Sequence, residues 1–93
     1  MKLDVGIGGL DPNKADIFLD LDHVLFRVGN DGREGFILAH RLRLGWCFGT
    51  IWTDTKHERS WNVASAMPLT LTPSILCACG EHGFVRNGKW VPA

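Results

Sequence analysis

A two-residue turn near the end of the chain constrains the fold most. The dipeptide Asn87-Gly88 lies between two apolar pairs, at 84–85 and 90–91. A type I′ turn needs positive φ at both central residues, which Asn and Gly accept readily, so this stretch predicts a β-hairpin. A second hairpin is predicted upstream, because residues 36–39 can pair back across a GNDG turn onto an alternating stretch at 23–28. Much of the chain should therefore be antiparallel sheet.

The segment 11–23 carries the signals of a helix. Asp11 suits an N-cap, and Pro12 suits the first turn, where its missing N–H costs nothing. The apolar side chains that follow have helical spacing. We therefore predict an α+β fold, in which one N-terminal helix packs against an antiparallel, hairpin-rich sheet. The residues with this spacing are Ile17, Phe18, Leu21, Val24, Leu25 and Val28.

Length and composition indicate one globular domain. The chain has 93 residues, of which 45% are hydrophobic, so a single modest core is expected. No apolar run approaches the roughly 20 residues of a membrane span, and the N-terminus lacks the apolar stretch of a signal peptide. We expect a cytoplasmic protein without membrane contact. The predicted parts are a flexible lead-in at 1–10, the helix at 11–23 and hairpins and strands at 24–66. A Pro-Ser strand, the CACGEH knuckle and the Asn-Gly hairpin follow at 67–93.

The stretch FLDLDHVL at 18–25 resembles the nucleophile loop of haloacid dehalogenase-type phosphatases. In that motif Asp20 would be the nucleophile and Asp22 the general acid/base. Such an enzyme also needs parallel strands, a later basic residue and a later acidic pair that holds Mg²⁺. Here the later carboxylates are isolated and the sequence indicates antiparallel hairpins. We therefore predict a protein that is not an enzyme.

The stretch CACGEH at 77–82 resembles half a zinc ribbon. Cys79 and His82 stand three residues apart with a glycine between them, which is typical of a zinc knuckle. Tetrahedral zinc needs four ligands. The predicted structural zinc site uses Cys77, Cys79 and His82, with Cys47 or His57 as the fourth ligand. The other donors are His40 and His23. The alternative is a pair of buried thiols beside a hydrogen-bonded histidine.

Aromatic and basic residues are interleaved in the sequence. We expect a partner-binding surface at Trp52, Arg86, Lys89 and Trp90, because tryptophan and arginine dominate protein interfaces and also stack on nucleic-acid bases. The alternative is core packing, which we expect for Trp46 and Trp61. The net charge of zero does not favour strong nucleic-acid binding.

The segment WNVASAMPLTLTPSILCACGEHGFVRNGKWVPA, from Trp61 to the end, resembles the C-terminal end of small proteins encoded by bacteriophages of actinobacteria. It is also similar to a domain family of unknown function in which a Pro-Ser-hydrophobic strand leads to a His-containing hairpin, often with cysteines that look metal-binding. The family pattern falls on Pro73, Ser74, Cys79, His82, Gly88 and Trp90.

This resemblance implies a phage accessory protein in the host cytoplasm, which binds and modulates or inhibits a host protein or defence complex without catalysis. Two alternatives remain open. One is a zinc-ribbon-like module that binds nucleic acid, and the other is a virion or assembly component, which would form a homo-oligomer.

Overall fold

The protein folds almost entirely into β-strands. The computed structural model describes residues 4–5, 10–30, 32–54 and 60–93. These residues contain ten strands and one short 3₁₀ turn, and every strand pairing is antiparallel. The strands are β1 (Asp4–Val5), β2 (Ile17–Phe18), β3 (His23–Asn30), β4 (Arg33–Leu42), β5 (Gly45–Trp52), β6 (Asn62–Ala66), β7 (Leu69–Thr72), β8 (Ile75–Leu76), β9 (His82–Arg86) and β10 (Lys89–Pro92).

The strands form three sheets. The largest has five strands in the order β1-β5-β4-β3-β2, and the others are β10-β9-β8 and the hairpin β6-β7. The two smaller sheets adjoin, because the N–H of Gly88 donates to the carbonyl of Leu69 at 2.8 Å. The turn between β9 and β10 has Asn87 at φ 51° and Gly88 at φ 74°, the positive values that a type I′ turn requires.

The predicted α+β fold is wrong, because the segment 11–23 does not form an α-helix. The Asp11 side chain does accept a hydrogen bond from the N–H of Asn13, but the turn that it caps is a 3₁₀ helix of three residues, Pro12–Lys14. The chain is already extended at Ala15, with ψ 156°. No helix in the described part of the chain is long and apolar enough to cross a membrane.

Strand pairing explains why the helical spacing failed. Ile17–Phe18 pairs with β3, so the backbone groups of this segment find partners in the sheet. The chain then turns at Asp20, whose Oδ1 accepts the N–H of Asp22 at 2.8 Å. Aspartates that bond to nearby backbone compete with helix formation. The result is a strand, a turn and a strand, in which Leu21 is 89% exposed.

The main core lies between the five-stranded sheet and the two smaller sheets. A second apolar cluster covers the opposite face of the large sheet, where Leu10 and Ala15 pack against strand residues. The large sheet is therefore buried on both sides, which is unusual for antiparallel strands. The most deeply buried side chains of the main core are Leu25, Leu38 and Ile51 from the large sheet and Leu71, Ile75 and Val85 from the smaller ones.

Candidate metal centre

Three polar side chains form a row across one end of the large sheet. His23 on β3 lies directly opposite His40 on β4, and His40 lies directly opposite Cys47 on β5. Residues directly opposite one another on neighbouring strands project from the same face of a sheet. This face is the one that carries Leu25 and Leu38, so the row borders the main core.

The turn between β8 and β9 lies over this row. It is closed by two backbone hydrogen bonds, from Gly80 N–H to the Cys77 carbonyl at 2.9 Å and from Cys77 N–H to the Glu81 carbonyl at 2.7 Å. Gly80 has φ 96°, a conformation that favours glycine. The turn places Cys79 beside Nδ1 of His40 and Glu81 beside Nε2 of the same ring.

The Glu81 carboxylate contacts three side chains of the polar cluster. Its Oε1 accepts from His23 Nε2 at 3.0 Å and from Trp90 Nε1 at 3.1 Å, and its Oε2 contacts His40 Nε2. The other nitrogen of His23, Nδ1, lies 2.8 Å from Asp20 Oδ1. Each nitrogen of His23 thus faces a carboxylate oxygen, Nδ1 that of Asp20 and Nε2 that of Glu81.

The thiols lie on the other side of His40. Its Nδ1 is 3.4 Å from Cys79 Sγ, and the Cys79 thiol also interacts with the thiols of Cys47 and Cys77. Cys79 therefore contacts His40 directly, and Cys47 and Cys77 lie near enough to Cys79 to affect it electrostatically.

Burial shifts the pKa of His40, Cys47 and Cys77. It lowers the pKa of His40, against the opposing effect of Glu81, so the neutral imidazole is favoured. Burial also raises the pKa of Cys47 and raises that of Cys77 to about 12. Neutral imidazole is the form that binds a metal, whereas thiols must first lose their protons.

One group of donor atoms is close enough together to be tested as a metal site. Among the residues that the structure describes, the group of His, Cys, Asp or Glu whose ligand atoms all lie within 4.8 Å of one another is His23, His40 and Glu81. A histidine binds an ion that lies in its ring plane, about 2.0–2.1 Å from the nitrogen. The His23 and His40 rings stack with centroids 4.5 Å apart and an interplanar angle of 13°, so no nearby point lies in both ring planes.

His23 also has no freedom to turn. Its ring stacks on Trp90 as well, with centroids 4.4 Å apart and planes 11° apart, so it is held between two rings. The pair of histidines therefore cannot share one ion as they stand. The other donors nearby are His40 Nδ1 and the thiols of Cys47, Cys77 and Cys79, one imidazole and three thiols, which is a combination that zinc favours. No three of these ligand atoms lie within 4.8 Å of one another, so an ion would have to draw them together.

Two predicted zinc ligands lie outside this set. His57 is outside the described residues. His82 projects away from the cluster: it is exposed, its Nε2 lies 2.7 Å from Ser74 Oγ, and its ring stacks on Phe84. The reason is strand alternation, because His82 begins β9 and the next residue, Gly83, faces the core instead.

The predicted partner-binding residues do not form one exposed surface. Trp90 is a core residue, only 7% exposed, because its ring packs over Gly83 and its indole N–H reaches Glu81. Trp52 is half-buried, and the Arg33 guanidinium carbon lies 4.1 Å from the centroid of the Trp52 ring. Arg86 and Lys89 are exposed and lie opposite each other on β9 and β10.

The aspartate pair lies between antiparallel strands. Asp20 and Asp22 lie in the turn between β2 and β3, where Asp20 holds His23 and Asp22 faces Arg41 at 3.5 Å. The described strands that flank this turn are antiparallel. A nucleophile at the end of a parallel strand, which that chemistry uses, is absent from the described residues.

From the sequence alone, His23 and His40 were only additional donors, and Glu81 had no predicted role. The register of the β3–β4 hairpin was the signal for the first two, because it sets them opposite each other. Glu81 had no such signal, since a turn residue has no register.

The comparisons with known proteins give no relative. The chain matches no family model, and no curated protein or solved structure is significantly similar to it.

Proposed function

We propose that this protein is a zinc-closed β domain that acts by binding a partner rather than by catalysis. In this proposal Zn²⁺ is held by Cys47, Cys77, Cys79 and Nδ1 of His40. The observation that carries it is the placement of His40, which contacts Glu81 through Nε2 and points Nδ1 at Cys79, 3.4 Å away. A zinc ligand of this type commonly donates its other N–H to a carboxylate.

The ion would supply stability that a small core lacks. It would join β4 and β5 of the large sheet to the turn between β8 and β9, and so fasten two sheets together. A chain of 93 residues buries a modest fraction of its surface, and metal ions are a common supplement in small domains. Zn–S bonds of about 2.3 Å require sulfurs about 3.8 Å apart, so binding would draw the three thiols closer together.

Metal analysis of the full chain tests this site. The protein is purified without chelator, and its zinc content and intact mass are measured for the wild type, Cys47→Ser and His40→Ala. We expect one zinc per chain in the wild type and loss of zinc in both variants, with a lower melting temperature. His82→Ala is the matched control, because that histidine is exposed and bonds to Ser74, and it should keep its zinc.

Two cysteine variants distinguish the thiol site from a site at His23, His40 and Glu81. If the ion belonged to His23, His40 and Glu81, Cys47→Ser and Cys77→Ser would both retain it. Cobalt substitution gives a second reading, since three thiolates produce an intense sulfur-to-cobalt charge-transfer band that a His-His-Glu site lacks. A folded wild type that binds neither zinc nor cobalt would refute the proposed site.

For the partner, we propose a protein. Large apolar side chains are exposed in the turn and hairpin beside the polar row: Leu21 is 89%, Phe18 59% and Leu44 97% exposed. Next to them the Arg41 guanidinium lies 4.7 Å from the centroid of the Trp46 ring. Exposed apolar residues near arginine and tryptophan are typical of protein interfaces. The resemblance to phage accessory proteins favours a host protein as that partner.

A pull-down from host lysate tests the partner. The wild type is compared with a Phe18→Ser, Leu21→Ser double variant and with Arg86→Ala, which lies on the β9–β10 hairpin instead. We expect one dominant protein, lost only in the double variant. Capture of nuclease-sensitive material that depends on Arg86 would favour the nucleic-acid alternative.

A further inference from the structure

We infer that Glu81 is a positioning residue, which selects the nitrogen of His40 that binds the metal. The inference rests on the proposed zinc site, but it concerns the protonation pattern of His40, which exists with or without an ion. It assigns Glu81 a role that no motif in the sequence suggests.

The carboxylate can act only as an acceptor. An ionised glutamate offers lone pairs and no proton, so every ring nitrogen that bonds to it must carry hydrogen. A neutral imidazole has one N–H. When this hydrogen is on Nε2 of His40, the nitrogen that contacts Glu81 Oε2, Nδ1 keeps its lone pair, and that lone pair faces Cys79 Sγ. The opposite tautomer would place two acceptors against each other at Glu81.

The position of the carboxylate is itself fixed. Its other oxygen, Oε1, accepts from His23 Nε2 and Trp90 Nε1, and its backbone carbonyl closes the turn by accepting from Cys77 N–H. The side chain of Glu81 is 29% exposed and that of His23 is 6% exposed. Glu81 thus accepts three hydrogen bonds, two at Oε1 and one at its backbone carbonyl. These bonds leave Oε2 facing His40.

His23 packs against one face of the His40 ring. Asp20 holds its Nδ1 at 2.8 Å, and the stacking contacts with His40 and Trp90 fix the ring orientation. A ring held in this way aims Nε2 at Glu81 and covers one face of His40. His23 therefore acts on the proposed site through Glu81 and through contact, and does not bind the ion.

The first test reads the tautomer directly and requires no metal. Long-range ¹H–¹⁵N spectra of ¹⁵N-histidine-labelled, metal-free protein distinguish protonated from unprotonated ring nitrogens. We expect His40 to be protonated at Nε2 in the wild type, with a mixture of tautomers or the Nδ1–H form in Glu81→Gln. The Nδ1–H form in the wild type would overturn the inference, as would an unchanged pattern in Glu81→Gln.

The second test measures metal affinity by competition with a chromophoric chelator. Loss of an outer carboxylate partner typically weakens metal binding 10–100-fold, so we expect that decrease in Glu81→Gln. Its cobalt spectrum should keep the thiolate band, because the ligands are unchanged. His82→Gln is the matched control: it changes an exposed imidazole that bonds to Ser74 and not to Glu81, and we expect less than about a 10-fold change.

The two proposals can fail separately. A wild type that binds no zinc but holds His40 in the Nε2–H form would refute the zinc site and support the role of Glu81. Zinc binding of equal strength in the wild type and a folded Glu81→Gln would refute the role of Glu81 and leave the zinc site in place.

Discussion

His40 and Cys47 lie directly opposite each other on β4 and β5, so an imidazole and a thiol project from the same face of the sheet next to the CACG turn. The hairpin therefore supplies two of the proposed ligands on a rigid element, and the turn supplies the other two. Sites built on paired strands hold their geometry better than sites built on loops alone.

Zinc affinity should rise with pH. Zinc binds thiolates, while burial raises the pKa of Cys47 and raises that of Cys77 to about 12, so both thiols are protonated in the metal-free protein at neutral pH. Binding must release these protons, and lowering the pH must release the metal. We expect the logarithm of the affinity to rise by about two or more per pH unit between about pH 6 and pH 8. Competition titrations across this range measure the slope, and a flat profile would contradict thiolate ligation.

The three cysteines should differ in reactivity. Cys79 is exposed and Cys77 is buried, and the thiolate is the reactive form. With metal-free protein we expect iodoacetamide to modify Cys79 first and Cys77 last, as peptide mapping at several reaction times would show. Added zinc should slow all three reactions. Equal rates for Cys77 and Cys79 in the folded chain would contradict the burial of Cys77.

A methyl group at position 83 should destabilise the fold. A Cβ at Gly83 would lie 2.4 Å from an atom of the Trp90 ring, so Gly83→Ala must displace that ring. Overpacking of this kind costs about 1–3 kcal/mol, which urea denaturation would measure. Gly29→Ala is the control, because its Cβ would be 3.6 Å from the nearest atom outside its chain neighbours, the Arg33 carbonyl oxygen. We expect it to change stability by less than about 1 kcal/mol.

The two aspartates of the DLD stretch should contribute unequally to stability. Asp20→Ala loses two bonds, to the N–H of Asp22 and to His23, and we expect a loss of about 1–3 kcal/mol. Asp22→Ala loses only an exposed ion pair with Arg41, which is worth about 0–1 kcal/mol. Denaturant midpoints of the two variants test the order. The reverse order would contradict the turn described here.

Local signals predicted the hairpins, and long-range pairing decided the rest. The Asn87-Gly88 turn was predictable because few residue pairs accept positive φ twice in succession. The segment 11–23 was not, because Ile17 and Leu25 fit helical spacing and also pair across two strands. Whether the segment becomes a helix or a strand depends on whether a neighbouring strand is there to pair with it. That neighbour is not specified by the short stretch of sequence itself.

The candidate site was predictable in part for the same reason. The sequence indicated Cys77 and Cys79, with Cys47 or His57 as the fourth ligand, because thiols and imidazoles are distinctive metal donors. His82 was predicted as a ligand in place of His40 because His82 is close to the cysteines in the sequence, and such residues were assumed to be close in space. Strand alternation turns His82 outward, whereas the register of two hairpins carries His40 to the thiols.

The edges of the large sheet bear on how molecules of this protein behave at high concentration. Its outer strands, β1 and β2, have two residues each, and beyond β2 the Asp16 carboxylate takes the Arg27 N–H at 2.7 Å. An edge that is short and blocked by an acidic side chain offers little backbone to a strand from another molecule. In spite of its strand content, the domain is thereby protected along this border from the edge-to-edge stacking that leads to amyloid-like aggregates.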